Sequence, residues 1–181
     1  MDRFRLIPVA VATAATRLLG RSKIELPTEL HDTSLGYLAK QALTEHAYLT
    51  QLRAQDFNNA VNGAMSITMD LSDFQTQIKD SLFEEPVNDQ QRLFNLAIED
   101  LASIRFSQKH RHVGRRVLDT VNLQKFQRAF AFLSFLRPDI TDSNNPFRDK
   151  FSSDNFGIVD RFMIGMGDGI GDRLGEMRAV V

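Results

Sequence analysis

Four histidines, His31, His46, His110 and His112, are the side chains best suited to bind a metal or to transfer protons near neutral pH. The sequence contains neither His-Glu-x-x-His nor Glu-x-x-His, so the ligand patterns of zinc proteases and di-iron bundles are missing. His110 and His112 are two residues apart, which would place them on different faces of a helix. A haem ligand among the histidines stays open, but the sequence predicts no metal site and no cofactor.

The usual catalytic nucleophiles are also missing from recognisable motifs. Cysteine is absent, which excludes thiolate catalysis, cysteine-ligated zinc, iron–sulfur clusters and disulfide partners. Neither Gly-x-Ser-x-Gly nor Ser-x-x-Lys occurs. Asp139 and Asp142 are a carboxylate pair that could act in acid–base chemistry, although loop aspartates more often cap turns. We therefore expect a protein that is not an enzyme.

The segment from Gly165 to Gly175 is rich in glycine but matches neither the dinucleotide fingerprint nor the P-loop. Its apolar residues keep helical spacing, and Gly167, Gly171 and Gly175 fall on one helical line. Each glycine inside a helix costs about 1 kcal/mol relative to alanine. We expect that these glycines let another backbone approach closely; a broken helix or a ligand-binding loop is the alternative.

Charge is segregated along the chain. Residues 101–118 contain no acidic residue, whereas residues 54–85 contain six acidic residues and one lysine. The basic residues are Arg105, Lys109, Arg111, Arg115 and Arg116. Three interpretations are open: the two segments pair within a chain or between copies, the basic segment binds nucleic-acid phosphates, or both segments are simply solvated. Phe106 is the single aromatic residue available for base stacking in the basic segment.

Residues 6–19 are apolar or small except for two threonines and Arg17. This stretch is too short to span a bilayer, which takes about 20 residues, and Asp2 is atypical of a signal peptide. The sequence thus predicts no transmembrane span, no cleaved signal peptide, and a location in the cytoplasm or within an assembly. We expect an arm that packs on a neighbour, with peripheral membrane contact through residues 1–21 as the alternative. Its contact residues are Leu6, Ile7, Val9 and Val11.

Part of this arm, Leu6-Ile-Pro-Val-Ala-Val, resembles the start of helical shell proteins of enveloped double-stranded RNA phages. The likeness covers six residues and includes no diagnostic motif, so it assigns the chain to no family. What it implies, as an expectation, is a role in a virion shell.

The spacing of apolar residues is helical between these features, and no stretch alternates as a half-buried strand does. Apolar stripes run from Leu35 to Leu49, from Leu93 to Ile104 and from Val113 to Leu136. Residues 54–83 predict two shorter helices that break near Met69, with Asp70 or Ser72 capping the second.

The prediction is an all-α protein: one compact bundle-like domain of six or seven helices with an N-terminal arm and a docking C-terminal helix. The segments are an arm over 1–25, a main helical body over 26–137, an irregular loop over 138–153 and a Gly-rich helix over 154–181. At 181 residues, 43% of them hydrophobic, the chain is large enough to bury a core. Its net charge of −1 argues against binding nucleic acid over the whole surface.

The features that remain after these exclusions are typical of contacts between proteins. We expect a structural subunit of a large homo-oligomeric assembly, for example a virion shell or a capsid-associated protein, held by helix–helix and charge-complementary contacts. Two alternatives stay open. One is a small helical enzyme or haem protein centred on His110 and His112, and the other is a nucleic-acid adaptor that uses residues 105–116.

Overall fold

The computed structural model describes residues 24–65, 70–107, 117–141 and 157–166, and all regular structure within these ranges is helical. The all-α prediction is therefore confirmed. The helices are α1 (Ser34–Glu45), α2 (Ala54–Met65), α3 (Leu71–Lys79), α4 (Asp89–Ser103), α5 (Thr120–Leu136), α6 (Pro138–Thr141) and α7 (residues 158–166). Short 3₁₀ helices at Thr28–Leu30 and Ala47–Gln51 flank α1.

Polar residues set where these helices begin. Thr33, Asp70, Asn88 and Asp119 each accept a hydrogen bond from a backbone N–H in the first turn of the helix that follows. Such caps satisfy donors that the helix itself leaves unpaired. Asp70 was one of the two caps predicted for α3, and α2 ends at Met65, so the predicted pair of short helices is confirmed.

The apolar stripe predicted from Val113 to Leu136 is wrong at Val117 and Val121, and Val113 lies outside the described residues. Helix α5 begins at Thr120, Val117 lies outside it, and Val121 is 61% exposed. The reason is local: Asp119 takes an extended conformation and caps the helix, and that start signal overrides the apolar spacing before it. The stripe from Phe126 to Leu133 does face the core.

Helices α4 and α5 pack against each other at the centre, with the end of α4 beside the start of α5. Helix α1 packs against both of them, and α3 packs against α4. Four pairs of phenylalanine rings make further contacts between helices. Phe57 of α2 and Phe126 of α5 have ring centroids 5.1 Å apart, and Phe162 of α7 lies 5.5 Å from Phe74 of α3. These edge-on and tilted pairs place α7 in the same hydrophobic core as the main body, so this helix docks on its own chain.

The backbones of α2 and α7 approach closely at small residues. A Cβ atom added to Gly165 would lie 3.4 Å from the Cα of Ala60, and one added to Gly63 would lie 3.9 Å from the Cα of Gly165. A larger side chain at Gly165 would push these helices apart. The glycine row predicted for helix contact, Gly167, Gly171 and Gly175, lies outside the described residues.

Two predicted segments are described only in part. The irregular loop predicted over 138–153 starts with the single helical turn α6, and its remainder from 142 lies outside the described ranges. Residues 24 and 25 are the described part of the predicted arm. Among the helices that the structure describes, none has the length and apolar character to cross a bilayer.

Candidate interaction site

Arg105 is the one residue of the predicted interaction set that the structure describes. The rest of that set lies outside the described residues: Leu6, Ile7, Val9, Val11, Lys109, Arg111, Arg115, Arg116, Gly167, Gly171 and Gly175. His110 and His112, on which the haem and enzyme alternatives depend, lie outside them as well.

Arg105 is bound within its own chain. Its Nη1 donates to Oε1 of Gln75 at 3.0 Å and to the carbonyl of Ile104 at 2.9 Å. Gln75 is buried in α3, and its Nε2 donates to the carbonyls of Leu101 and Ile104 at 3.0 and 2.8 Å. These bonds satisfy carbonyls that the end of α4 leaves without helical partners. Arg105 therefore helps to close α4, a structural role that charge alone did not predict.

The ends of the basic segment meet beyond Arg105. The N–H of Ser107 donates to the carbonyl of Val117 at 2.7 Å, and the N–H of Arg105 donates to Oδ1 of Asn122 at 2.9 Å. Ser107 and Val117, the described residues on either side of 108–116, are therefore in contact between the end of α4 and the start of α5.

A cleft of about 330 Å³ opens at the other end of the bundle. It lies between the start of α4, the end of α5 and α7. Its apolar lining consists of Phe83, Phe94, Leu133, Leu136, Val159 and Met163. Polar side chains stand around it: Ser81, Asn88, Gln90, Gln91, Arg137 and Asp160. An apolar pocket with a few polar groups at its margin is the common form of a binding site.

The loop before α4 holds apolar residues in solvent beside this cleft. Asn95 accepts from the N–H of Phe83 at 2.9 Å and donates to its carbonyl at 2.8 Å. The Phe83 ring packs edge-on against Phe94 with centroids 5.4 Å apart, yet it remains 42% exposed. Val87 is 78% exposed, and its N–H donates to Oε1 of Gln91 at 2.9 Å. Hydrogen bonds within the chain thus hold this exposed apolar surface in place.

A third exposed apolar residue lies at the same end of the molecule. The hydroxyl of Ser34 donates to Oδ2 of Asp89 at 3.0 Å, which joins the start of α1 to the start of α4. Tyr37, one turn along α1, is 75% exposed. We call Tyr37, Phe83 and Val87 with the cleft the "apolar end" of the bundle.

Acidic residues outnumber basic ones at the apolar end. Nε of Arg137 lies 3.2 Å from Asp139, and its Nη1 lies 3.7 Å from Asp160. Burial raises the pKa of Asp160; Arg137 opposes that rise, and Asp139 adds to it. Glu84 and Glu85 follow Phe83 and are exposed. Asp89 and Arg92, at the start of α4, form a further ion pair at this end. Five carboxylates thus stand against two guanidinium groups, a balance that favours a positively charged ligand.

The two histidines that the structure describes, His46 and His31, have the surroundings of residues that support the fold. Partial burial lowers the pKa of His46 to about 4, so its ring is neutral at pH 7. Nε2 of His31 lies 3.0 Å from the carbonyl oxygen of Leu26. Across the described ranges, no group of three or more His, Asp or Glu side chains is placed to hold a metal ion.

Sequence reasoning missed the apolar end. The signal that could have found it is the run Phe83-Glu-Glu-Pro-Val87, which places two large apolar residues in a segment with no helical periodicity.

In comparisons with known proteins, no family model, no curated protein and no solved structure matches this chain. Its function is therefore inferred from its own surfaces.

Proposed function

We propose that this protein is a non-enzymatic structural subunit that self-associates into a large assembly, such as a virion shell or a similar lattice. The observation that carries the proposal is the apolar end, where Phe83 and Val87 are exposed beside an apolar cleft. Contiguous apolar surface on a protein commonly marks a site of association. Asn95 and Gln91 accept hydrogen bonds from the N–H groups of Phe83 and Val87 and so hold this surface in place, which lowers the entropy lost on binding.

The placement of charge supports association between copies. Glu84 and Glu85 are exposed and follow Phe83, which lines the cleft. Residues 1–23, in contrast, carry five basic residues against one acidic residue. A contact between two such unlike surfaces of two copies is heterologous, and repetition of such contacts builds rings or lattices.

The buried polar groups support a scaffold role. Gln75 closes the end of α4, and Asp56 accepts the N–H of Arg53 at 2.7 Å at the start of α2. Asp100 and Arg128 pair across α4 and α5. Each of these side chains holds backbone or helices in position.

The test is the mass of the full chain in solution, measured by sedimentation velocity over a range of concentrations. We expect large species that dissociate on dilution. Val87→Asp should weaken association, because it places a charge in an apolar contact. Val121→Asp is the matched control: Val121 is also exposed, but it lies about 22 Å along α5 from Leu136 at the cleft. A chain that stays monomeric at all concentrations, or equal effects of the two variants, would contradict the proposal.

Nucleic-acid binding is a second candidate, favoured by the Ser107–Val117 hydrogen bond. That bond joins the two residues that flank 108–116, the part of the sequence that contains Lys109, Arg111, Arg115 and Arg116. Reversal of Arg115 and Arg116 to Glu should then abolish RNA or DNA retention, and binding should weaken steeply with salt. Unchanged retention by the double variant, in filter binding at low salt, would rule this candidate out.

A further inference from the structure

The apolar end sets chemical requirements for its occupant. The floor of the cleft is formed by apolar side chains from α4, α5 and α7, so the occupant must bury apolar groups. Asp160 lines the cleft beside Arg137, and Glu84 and Glu85 follow the lining residue Phe83. Three carboxylates thus stand against one guanidinium, which favours positive charge in the occupant. A basic segment with interleaved apolar residues meets both requirements.

This chain has two basic segments, and one of them has this character. Residues 1–23 carry five basic residues against one acidic residue, and Arg3 and Arg5 alternate with Phe4 and Leu6. Residues 109–116 are equally basic, but Val113 is their one large apolar residue. The N-terminal segment is therefore the better match to an apolar cleft with an acidic margin.

We infer that the cleft of one copy binds the N-terminal segment, residues 1–23, of a second copy. Phe4, Leu6 and Ile7 enter the cleft, and Arg3 and Arg5 face Glu84, Glu85 and Asp160. The inference rests on the proposed self-association and names the contact that produces it. It also gives the arm predicted from Leu6, Ile7, Val9 and Val11 a binding surface.

The start of the described chain makes this contact reachable. Nη1 of Arg128 donates to the carbonyl of Glu25 at 3.0 Å, which fixes the point where residues 1–23 join the body. Arg128 lies eight residues before Leu136 in α5, about 12 Å along the helix. A segment of 23 residues extends to about 75 Å at 3.3 Å per residue, enough to reach the cleft of a neighbour.

Charge exchange tests the pairing in the full chain. Glu84→Lys with Glu85→Lys should raise the concentration for half-assembly about tenfold, because both reversals replace attraction with repulsion. Arg3→Glu with Arg5→Glu should have a similar effect, and the four changes together should restore assembly. Arg115→Glu with Arg116→Glu is the matched control, and it should fail to rescue the Glu84/Glu85 variant. No rescue by the N-terminal pair, or equal rescue by the control pair, overturns the inference.

Photo-crosslinking distinguishes a second copy from the same copy. A benzophenone side chain introduced at Ile7, in a mixture of light and isotopically heavy chains, should yield light–heavy crosslinks to peptides that contain Leu136 or Val159. Crosslinks confined to one copy, or to other surfaces, overturn the inference.

Removal of residues 1–22 separates this inference from the proposed function. Loss of assembly with retained helical circular dichroism supports both. Undiminished assembly of the truncated chain overturns the inference and leaves self-association standing. A peptide of residues 1–23 is also tested on anionic vesicles. If it binds the vesicles but does not compete with assembly of the full chain, the segment belongs on a membrane surface and the inference is overturned.

Discussion

Nη2 of Arg128 lies 2.6 Å from Oδ1 of Asp100, and its Nε lies 2.7 Å from Oδ2 of the same carboxylate. This two-point pair joins α5 to α4, and the third nitrogen of Arg128 holds the carbonyl of Glu25. Burial raises the pKa of Asp100 against the opposing effect of Arg128, while Asp100 raises the pKa of Arg128. One arginine thus joins the two central helices to the residue from which the N-terminal segment departs.

Removal of this arginine should destabilise the protein strongly. Arg128→Met leaves the largely buried carboxylate of Asp100 without its partner, and we expect the free energy of unfolding to fall by about 3 kcal/mol. Arg92→Met is the matched control, because Arg92 pairs with Asp89 at 2.8 Å on the surface and should cost under about 1 kcal/mol. Urea unfolding of both variants checks the difference. Equal losses would mean that the Asp100 pair contributes no more than a surface pair.

Stability should fall on acidification because of His46. The unfolded chain binds a proton at this side chain below about pH 6.5, whereas the folded chain does so only near pH 4. Between these values the free energy of unfolding should drop by at most about 1.4 kcal/mol per pH unit from this group. The raised pKa values of Asp100 and Asp160 act in the opposite direction, since their contribution to stability is lost as pH rises through their folded pKa values.

Urea unfolding between about pH 4.5 and about pH 7.5 measures this slope, since these limits cover most of the interval between the folded pKa of about 4 and the ordinary value of 6.5. His46→Gln should flatten the dependence, because glutamine takes up no proton in this range. A slope that persists in the His46 variant would assign the dependence to other groups.

Glycine substitutions should report the close contact between α2 and α7. Gly63→Ala should stabilise the protein by up to about 1 kcal/mol, since the new methyl has ordinary contact distances and alanine favours a helix. Gly165→Leu should destabilise it by about 1–3 kcal/mol, because the side chain would meet the backbone of Ala60. Thermal melts of the two variants should therefore shift in opposite directions. A stabilised Gly165→Leu protein would show that the two helices separate without cost.

Gln75 should contribute more to the stability of the fold than a glutamine usually does. Gln75→Leu removes the donor to the carbonyls of Leu101 and Ile104 and the acceptor for Arg105, and we expect a loss of about 1–3 kcal/mol. Gln77→Leu, on the exposed face of the same helix, is the control and should change stability by less than about 0.5 kcal/mol. Denaturant midpoints check both, and a neutral Gln75→Leu would mean that other groups close the end of α4.

Local features of the sequence determined the helical class and several helix limits. The period of Leu93, Ala97 and Leu101 predicted the buried face of α4, and Asp70 predicted the start of α3, because caps and apolar periodicity act within a few residues. The same reasoning failed at Val117, where the apolar spacing predicted a helix but the cap at Asp119 starts α5 only at Thr120.

Only the tertiary structure decided which distant residues meet. The cleft takes its lining from α4, α5 and α7 and the loop before α4, and no local pattern specifies that Phe94, Leu133 and Val159 share a surface. The same holds for charge. Arg105 belongs to a basic run of the sequence, yet its guanidinium donates a hydrogen bond to Gln75, which lies 30 residues earlier. Helix formation depends on neighbours in sequence, whereas a binding surface depends on how helices pack, and packing energy is shared among residues far apart in the chain.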